Sequence, residues 1–255
     1  MWEALILGII QGLTEFLPVS STAHLVIFPW FFHWTGELDS LTFDIALHAG
    51  TLLALLICFW RDWLELFVRK RKLLILILTA SIPAGVAGLL LADVVEHTLR
   101  SPYIIAVSLV VFGCIMLIAE TLQTRKSFTE ITLVDALTIG MAQAVALLPG
   151  VSRSGITISA GLFRRIERES SARFSFLLST PAIAGATVLH ARKLIAQNGD
   201  HHMSLFFAGF LASAITGFVA IRFLLSFFRK HPMNAFAYYR FALAAVIIAG
   251  LWLRR

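Results

Sequence analysis

The chain has 255 residues, of which 58% are hydrophobic and 14% charged, with a formal net charge of +6 and a mean hydropathy of +0.84. That balance excludes a soluble domain and reads as an integral membrane protein with the bilayer as its solvent. The positive charge is not a nucleic-acid signature, because basic residues in such a protein mark the loops that face the cytoplasm, so no nucleic acid is expected as a partner.

The first element, Trp2 to Leu17, carries Glu3 and no basic run before Leu5, so it is not expected to be a signal peptide. It is apolar but short, and it holds Gln11 and Glu15. Pro18, Ser20, Ser21 and Thr22 break it, and a second short piece runs to Phe32. Neither piece reaches the ~20 apolar residues that a span needs. The pattern predicts a re-entrant helix-loop-helix, a form tolerated where it is buried in protein or lines a wet cavity. Full spans are expected at Leu41 to Trp60, which includes Asp44 and His48, at Leu73 to Ala92, which includes Pro83, and at Tyr103 to Leu122. A second broken element follows, Thr132 to Phe163, and then spans at Phe174 to His190, Ser204 to Phe228 and Phe236 to Leu253. Cys58 and Cys114 lie in apolar runs without ligand spacing, so neither a disulfide nor zinc is expected.

The two broken elements share a design. At a shift of 132 positions, Ala4, Leu5, Gly8, Gln11, Val19 and Ser20 fall on Ala136, Leu137, Gly140, Gln143, Val151 and Ser152, while Pro18 and Pro149 miss register by one. If each broken element returns to the side it entered from, the loops after Trp60, Leu122, Phe163 and Phe228 hold thirteen Lys and Arg, and the opposite loops hold three: Arg100, Arg192 and Lys193. The first set is then cytoplasmic, although Arg254 and Arg255 fall on the wrong side. Three spans per half is an odd number, so the halves insert in opposite senses. The expected fold is an all-α integral membrane protein with an inverted-topology repeat, six full transmembrane helices plus two re-entrant helix-loop-helix elements. Residues 1–122 and 132–255 form the repeats of a single membrane domain.

The polar residues of the breaks carry the chemistry. Gln11 and Glu15 share a helix face, and Glu15 can serve as metal ligand, general base or partner for Arg153, or sit paired at an interfacial depth. Ser21 and His24 face one way on the second piece, where a hydroxyl among Ser20, Ser21 and Thr22 suffices to cap the helix. A histidine can move protons, and a Ser or His can attack phosphorus. Arg153 at membrane depth costs ~3 kcal/mol or more. It sits where Ser152 or Ser154 caps a new helix, with Thr157 one turn on. A helix N-terminus and a guanidinium fork suit a phosphate; the bland alternative is structural glue with Glu15. Asp44 and His48 line the same cavity or only bond to neighbours. His190, His201 and His202 are expected to be solvated, and Arg222 to snorkel.

Gln11-Gly-Leu-Thr-Glu15-Phe-Leu-Pro-Val-Ser-Ser21-Thr-Ala-His24, together with Leu148-Pro-Gly-Val-Ser152-Arg153-Ser-Gly-Ile-Thr157, resembles the undecaprenyl-diphosphate phosphatase family of the bacitracin-resistance type. The resemblance covers essentially the whole chain. It implies hydrolysis of undecaprenyl diphosphate to the monophosphate carrier lipid for cell-wall synthesis, in the bacterial cytoplasmic (inner) membrane, with a site that opens to the periplasmic side. It implies a divalent cation, Mg2+ or Ca2+, with Glu15 as metal ligand. It assigns Glu15, Ser21, His24 and Arg153 to catalysis, and Gln11, Ser20, Ser152, Arg153, Ser154 and Thr157 to substrate binding. Ala23 stands where many members carry glycine. The nucleophile stays open between Ser21, His24 and a water activated by His24 or Glu15. The reading also leaves a homodimer open. A lipid-phosphate transporter that uses the same headgroup site is the alternative, since inverted repeats with broken helices also build transporters.

Overall fold

The computed structural model describes residues 1–97, 99–196 and 203–253, less the side chains of residues 37, 39, 41, 92–97 and 190–196. Expectations for His201, His202, Arg254, Arg255 and the side chains of His190, Arg192 and Lys193 lie outside the described residues. Eleven helices follow in order among those described: α1 Trp2–Phe16, α2 Ser21–Phe32, α3 Leu41–Cys58, α4 Trp60–Val68, α5 Arg71–His97, α6 Pro102–Glu120, α7 Leu133–Val145, α8 Arg153–Phe163, α9 Arg168–Ala196, α10 Met203–Phe228 and α11 Asn234–Leu253.

Five of these, α5, α6, α9, α10 and α11, are long and apolar enough to cross a membrane. Several leave most of their apolar residues unburied: the most hydropathic windows of α5, α10 and α11 are only 22%, 28% and 28% buried. Leu89, Leu90, Val107, Ile215 and Trp252 are among the exposed side chains. A soluble protein does not leave such a surface bare, so lipid covers it. Cys58 and Cys114 are free thiols.

The span expected from Leu41 to Trp60 is α3, which ends at Cys58, and part of the loop expected after it is the helix α4. The chain turns by 63° at Phe59, from α3 into α4. Trp63 and Leu66 of α4 join the core, while Trp60, Leu64 and Phe67 stay exposed. The charged residues Arg61, Asp62 and Glu65 of α4 make this stretch read as a loop, although its apolar residues recur on one helix face. The loop expected from Arg164 to Arg173 is also shorter than its charge suggests, since α9 starts at Arg168. Ion pairs, rather than apolar residues, carry that helix end.

Those ion pairs tie helix ends together on one face of the protein. Asp62 pairs with Arg173, Glu120 with Arg168 at 2.7 Å, Glu169 with Arg229 at 2.8 Å, and Asp135 with both Lys126 and Arg164. The end of α6, the beginnings of α7 and α9, and the end of α10 therefore lie together. The beginning of α1 lies at the other face, where Ala4 and Leu7 pack with Phe43 and Leu47 of α3 and with Leu205 and Phe206 of α10.

The two short helices pack in matching ways. α1 lies mainly against α10, and α7 mainly against α5. A side chain on Gly8 would collide with the Gly209 carbonyl of α10, and one on Gly140 with the Ala80 carbonyl of α5. Each short helix thus uses glycine to approach a long helix of the other half of the chain. The two breaks are brought to the centre of the molecule by this exchange.

Candidate active site

Each break is shaped by local rules. Leu17 ends α1 in an extended conformation, as the residue before a proline must. Ser20 then takes φ 75°, and its Oγ accepts from the Ala23 N–H at 3.4 Å to cap α2. In the second break Gly150 takes φ 91° against α6, where a side chain would meet the Ile105 carbonyl. Ser152 takes φ 71°, and its Oγ accepts from the Gly155 N–H at 3.2 Å to cap α8. Ser20 and Ser152, related by the sequence shift, share an unusual backbone conformation that costs about 1–3 kcal/mol for a residue other than glycine. Both serines stand at the start of a helix, α2 and α8, and the first N–H groups of a helix favour an anion.

The breaks touch. The Ser154 hydroxyl donates to the Leu17 carbonyl at 3.3 Å, and the Arg153 guanidinium pairs with Glu15 Oε1. Glu15 Oε2 accepts from Gln11 Nε2 at 3.1 Å and from the Ser21 hydroxyl at 2.7 Å, and His48 Nε2 lies 3.6 Å away. The carboxylate is therefore surrounded by donors although only 5% exposed. A charge so buried is tolerated only when paired and hydrogen-bonded.

A cavity of about 580 Å³ opens beside this cluster. Glu15, Ser21, Ser152 and Arg153 line it, and so do Asp44, His48, Arg100 and Gln143. Apolar residues of α5 and α9, among them Ala84, Leu89 and Ile183, form the rest of the wall. Arg100 and Asp44 bridge at 3.0 Å. Polar groups on one side and aliphatic groups on the other fit an amphiphile with a charged head.

The other residues expected at the site stand behind this lining. Gln11 is fully buried and orients Glu15. Ser20 caps α2, and Ser154 bridges the breaks. Thr157 donates to the Arg153 carbonyl at 2.7 Å and bonds Ser175 Oγ at 2.6 Å. His24 is 3% exposed; its Nδ1 donates to the Ser20 carbonyl at 2.7 Å and its Nε2 meets the Tyr239 hydroxyl at 2.8 Å. The histidine on the cavity is His48, whose Nδ1 donates to the Asp44 carbonyl at 2.7 Å and so turns Nε2 toward Glu15.

Three residues were missed by sequence reasoning. Gln143, the repeat mate of Gln11, is 3% exposed and neither atom of its amide has a partner. The sequence shift already pointed to it. Tyr239 and Arg240 lie in α11, which carries no motif; the cost of an arginine at membrane depth was the signal for Arg240, as it was for Arg153.

A cation has limited support among the side chains. The described residues contain no group of three or more His, Cys, Asp or Glu placed to hold a metal. Glu15 and Asp44, the carboxylates of the cavity lining, each already face an arginine. Mg2+ is commonly held by one or two carboxylates plus phosphate oxygens of the substrate, and the donor set fits that arrangement rather than an all-protein cage.

Residues 4–246 match the model of a family described as bacitracin resistance protein BacA. Curated relatives called undecaprenyl-diphosphatase are similar along their whole length. One from Thermodesulfovibrio yellowstonii is 57% identical over 97% of this chain and 96% of its own. One from Moorella thermoacetica is 44% identical over 99% and 98%, and one from Caldicellulosiruptor bescii 45% identical over 99% and 98%.

Proposed function

The chain belongs to the bacitracin resistance protein BacA family, and from that premise we infer that it is an undecaprenyl-diphosphatase. It hydrolyses undecaprenyl diphosphate to undecaprenyl phosphate and inorganic phosphate, as a multi-pass membrane enzyme that returns the carrier lipid to cell-wall synthesis. The observation that carries the location of this chemistry is the meeting of Glu15 and Arg153, one from each break, on a cavity with one polar and one aliphatic side.

In this reading the lipid enters along the aliphatic wall and its diphosphate takes Arg153 from Glu15. The guanidinium and the N–H groups at the start of α8 hold the phosphoryl oxygens, where charge grows in the transition state. Ser21 is the nucleophile favoured by geometry, since it lines the cavity and already donates to the Glu15 carboxylate at 2.7 Å. Its oxygen attacks the terminal phosphorus and Glu15 takes its proton. The bond to the bridging oxygen breaks, and the lipid monophosphate leaves with the electron pair. Water then attacks the phosphoserine, giving inorganic phosphate and restoring the hydroxyl. Glu15 is also the residue that would hold a divalent cation arriving on the diphosphate; such a cation would neutralise phosphoryl charge. Gln11, Ser20, His24, Ser154 and Thr157 act from behind, by holding the groups that line the cavity.

The topology belongs to the same proposal. The matching glycine contacts of α1 and α7, and the opposite faces from which they start, support two inverted repeats at residues 1–122 and 132–255. The bent pair α3–α4 then counts as the sixth span, and α1–α2 and α7–α8 as the re-entrant elements. The ion-paired face holds most of the basic residues and is read as cytoplasmic. Arg100 and Asp44, at the cavity, lie toward the other face, so the cavity opens to the periplasmic side of the inner membrane.

Phosphate release by purified protein in detergent micelles, with no second compartment, separates hydrolysis from transport. Substitution of Glu15 by Gln is expected to abolish most of it; equal turnover of the two proteins would reject the site.

A further inference from the structure

Arg240 is 0% exposed, and its four hydrogen bonds all go to backbone carbonyls. Nη2 donates to the Gly150 carbonyl at 2.7 Å and Nη1 to the Val151 carbonyl at 2.9 Å. Nε reaches the Leu109 carbonyl at 3.2 Å, and Nη2 also the Ser108 carbonyl at 3.4 Å. The guanidinium thus stitches α6 to the two residues that immediately precede Ser152 and Arg153. The Gly150 and Val151 carbonyls lie in a turn that follows no repeating ladder, and a planar fork can serve both at once.

The neighbouring Tyr239 acts on the other break. A carbonyl oxygen only accepts, so His24 Nδ1 carries the proton toward Ser20, and the neutral ring then accepts the Tyr239 O–H at Nε2. The rings are stacked, with centroids 5.8 Å apart and planes at 9°. The chain from Tyr239 through His24 ends on the Ser20 carbonyl, in the residue whose backbone sits at φ 75°. Two consecutive residues of α11 therefore hold the two breaks: Tyr239 through His24 at Ser20, and Arg240 at Gly150 and Val151, the two residues before Ser152.

We propose that Tyr239 and Arg240 are a positioning pair that sets the first break against the second. Arg240 fixes the turn that presents Ser152 and Arg153. Tyr239 fixes His24, and through it the backbone that presents Ser21. Neither residue is among those that line the cavity, so both act through the residues that do. The proposal rests on the assignment of phosphate binding to Arg153 and of the nucleophile to Ser21. Donors aimed at a transition state are sensitive to small displacements, whereas binding of the lipid tail is not.

The test is steady-state phosphate release by the purified full chain in micelles, with kcat and KM separated and the folded fraction measured by thermal unfolding. Tyr239→Phe keeps the ring against His24 and removes one hydroxyl. Its kcat is expected to fall roughly tenfold with KM changed less than about twofold and an unchanged unfolding midpoint. Arg240→Lys keeps the charge but not the fork, and should lower kcat at least as much. The effect of Arg240→Lys should largely vanish when Arg153 is already Lys, because Arg153 is what Arg240 positions. Wild-type kcat in Tyr239→Phe, or losses that merely follow the folded fraction, would overturn the pair. So would strict multiplicativity of Arg240→Lys with Arg153→Lys. If Glu15→Gln is fully active, the site itself is misplaced; if Glu15→Gln is inactive and Tyr239→Phe is not impaired, the positioning role alone fails.

Discussion

Glu15 and Arg153 stand 138 positions apart in the chain and meet as an ion pair at the wall of one cavity. An isolated pair of this kind is weak support for stability, because desolvation offsets much of its attraction. It makes better sense as a resting state in which each charge waits for the substrate. Arg153→Lys loses the planar fork and should reduce turnover by roughly two orders of magnitude, as for a lost oxyanion donor. KM should change less, because the lipid tail still partitions into the micelle. Initial rates at fixed lipid fraction check both expectations.

Ser20 and Ser152 provide a second prediction. At Ser152, φ 71° is easy for glycine and strained for a β-branched residue. Ser152→Gly should lose mainly the cap to Gly155, about 1 kcal/mol or less. Ser152→Val should lose about 2 kcal/mol or more and most of the phosphate release. Thermal unfolding in detergent ranks the two. Equal stability would mean that the turn relaxes to another conformation.

The glycine contacts give a third. Gly8→Ala and Gly140→Ala each push a methyl group at a backbone carbonyl of the opposite half. Each should cost about 1–3 kcal/mol, as for overpacking. If the halves are equivalent, the two losses will be similar. A neutral Gly140→Ala beside a damaging Gly8→Ala would argue against equivalent packing.

Asp135 sets a pH dependence at the ion-paired face. Burial pushes its carboxyl up, but the Thr132 N–H, Lys126, Arg164 and the Thr132 hydroxyl outweigh that and hold it down at about 2, against an ordinary 3.8. A lowered value in the folded protein means that its stabilising contribution is complete above about pH 4 and fades as pH falls through about 2. Asp135→Asn should therefore be less stable than wild type at pH 7, with the difference closing between pH 4 and pH 2. Unfolding midpoints across that range are the measurement.

The sidedness is tested by cysteine labelling from outside intact cells. A cysteine placed between Arg69 and Lys72 should resist a membrane-impermeant reagent until the cells are opened. Ready labelling would invert the proposed topology and move the mouth of the cavity to the cytoplasm.

Much of this arrangement was legible in the sequence because it rests on cost. Polar residues in an apolar chain stand out, so both breaks and the Glu15–Arg153 partnership could be read before any coordinates. The helix α4 after the bend at Phe59 was not legible, since Arg61, Asp62 and Glu65 interrupt its apolar residues and read as the start of a loop. His24 was read as facing the site because it shares a helix face with Ser21. The position of α11 beside α2, a long-range fact, supplies the Tyr239 hydroxyl that engages it instead. Arg240 was overlooked although the argument applied to Arg153 covers it equally. Gln143 was visible in the repeat, but only the structure reveals that its amide is left without a partner.

The place of α11 in the chain has a consequence for biosynthesis. Tyr239 and Arg240 are translated after every other residue named in either break. A nascent chain can insert α1 through α10 and still lack the side chains that hold Ser20, Gly150 and Val151 in place. Only when the first two turns of α11 are in place can Tyr239 and Arg240 reach the breaks. A chain cut short before α11 is therefore expected to insert into the membrane without turning over the lipid carrier.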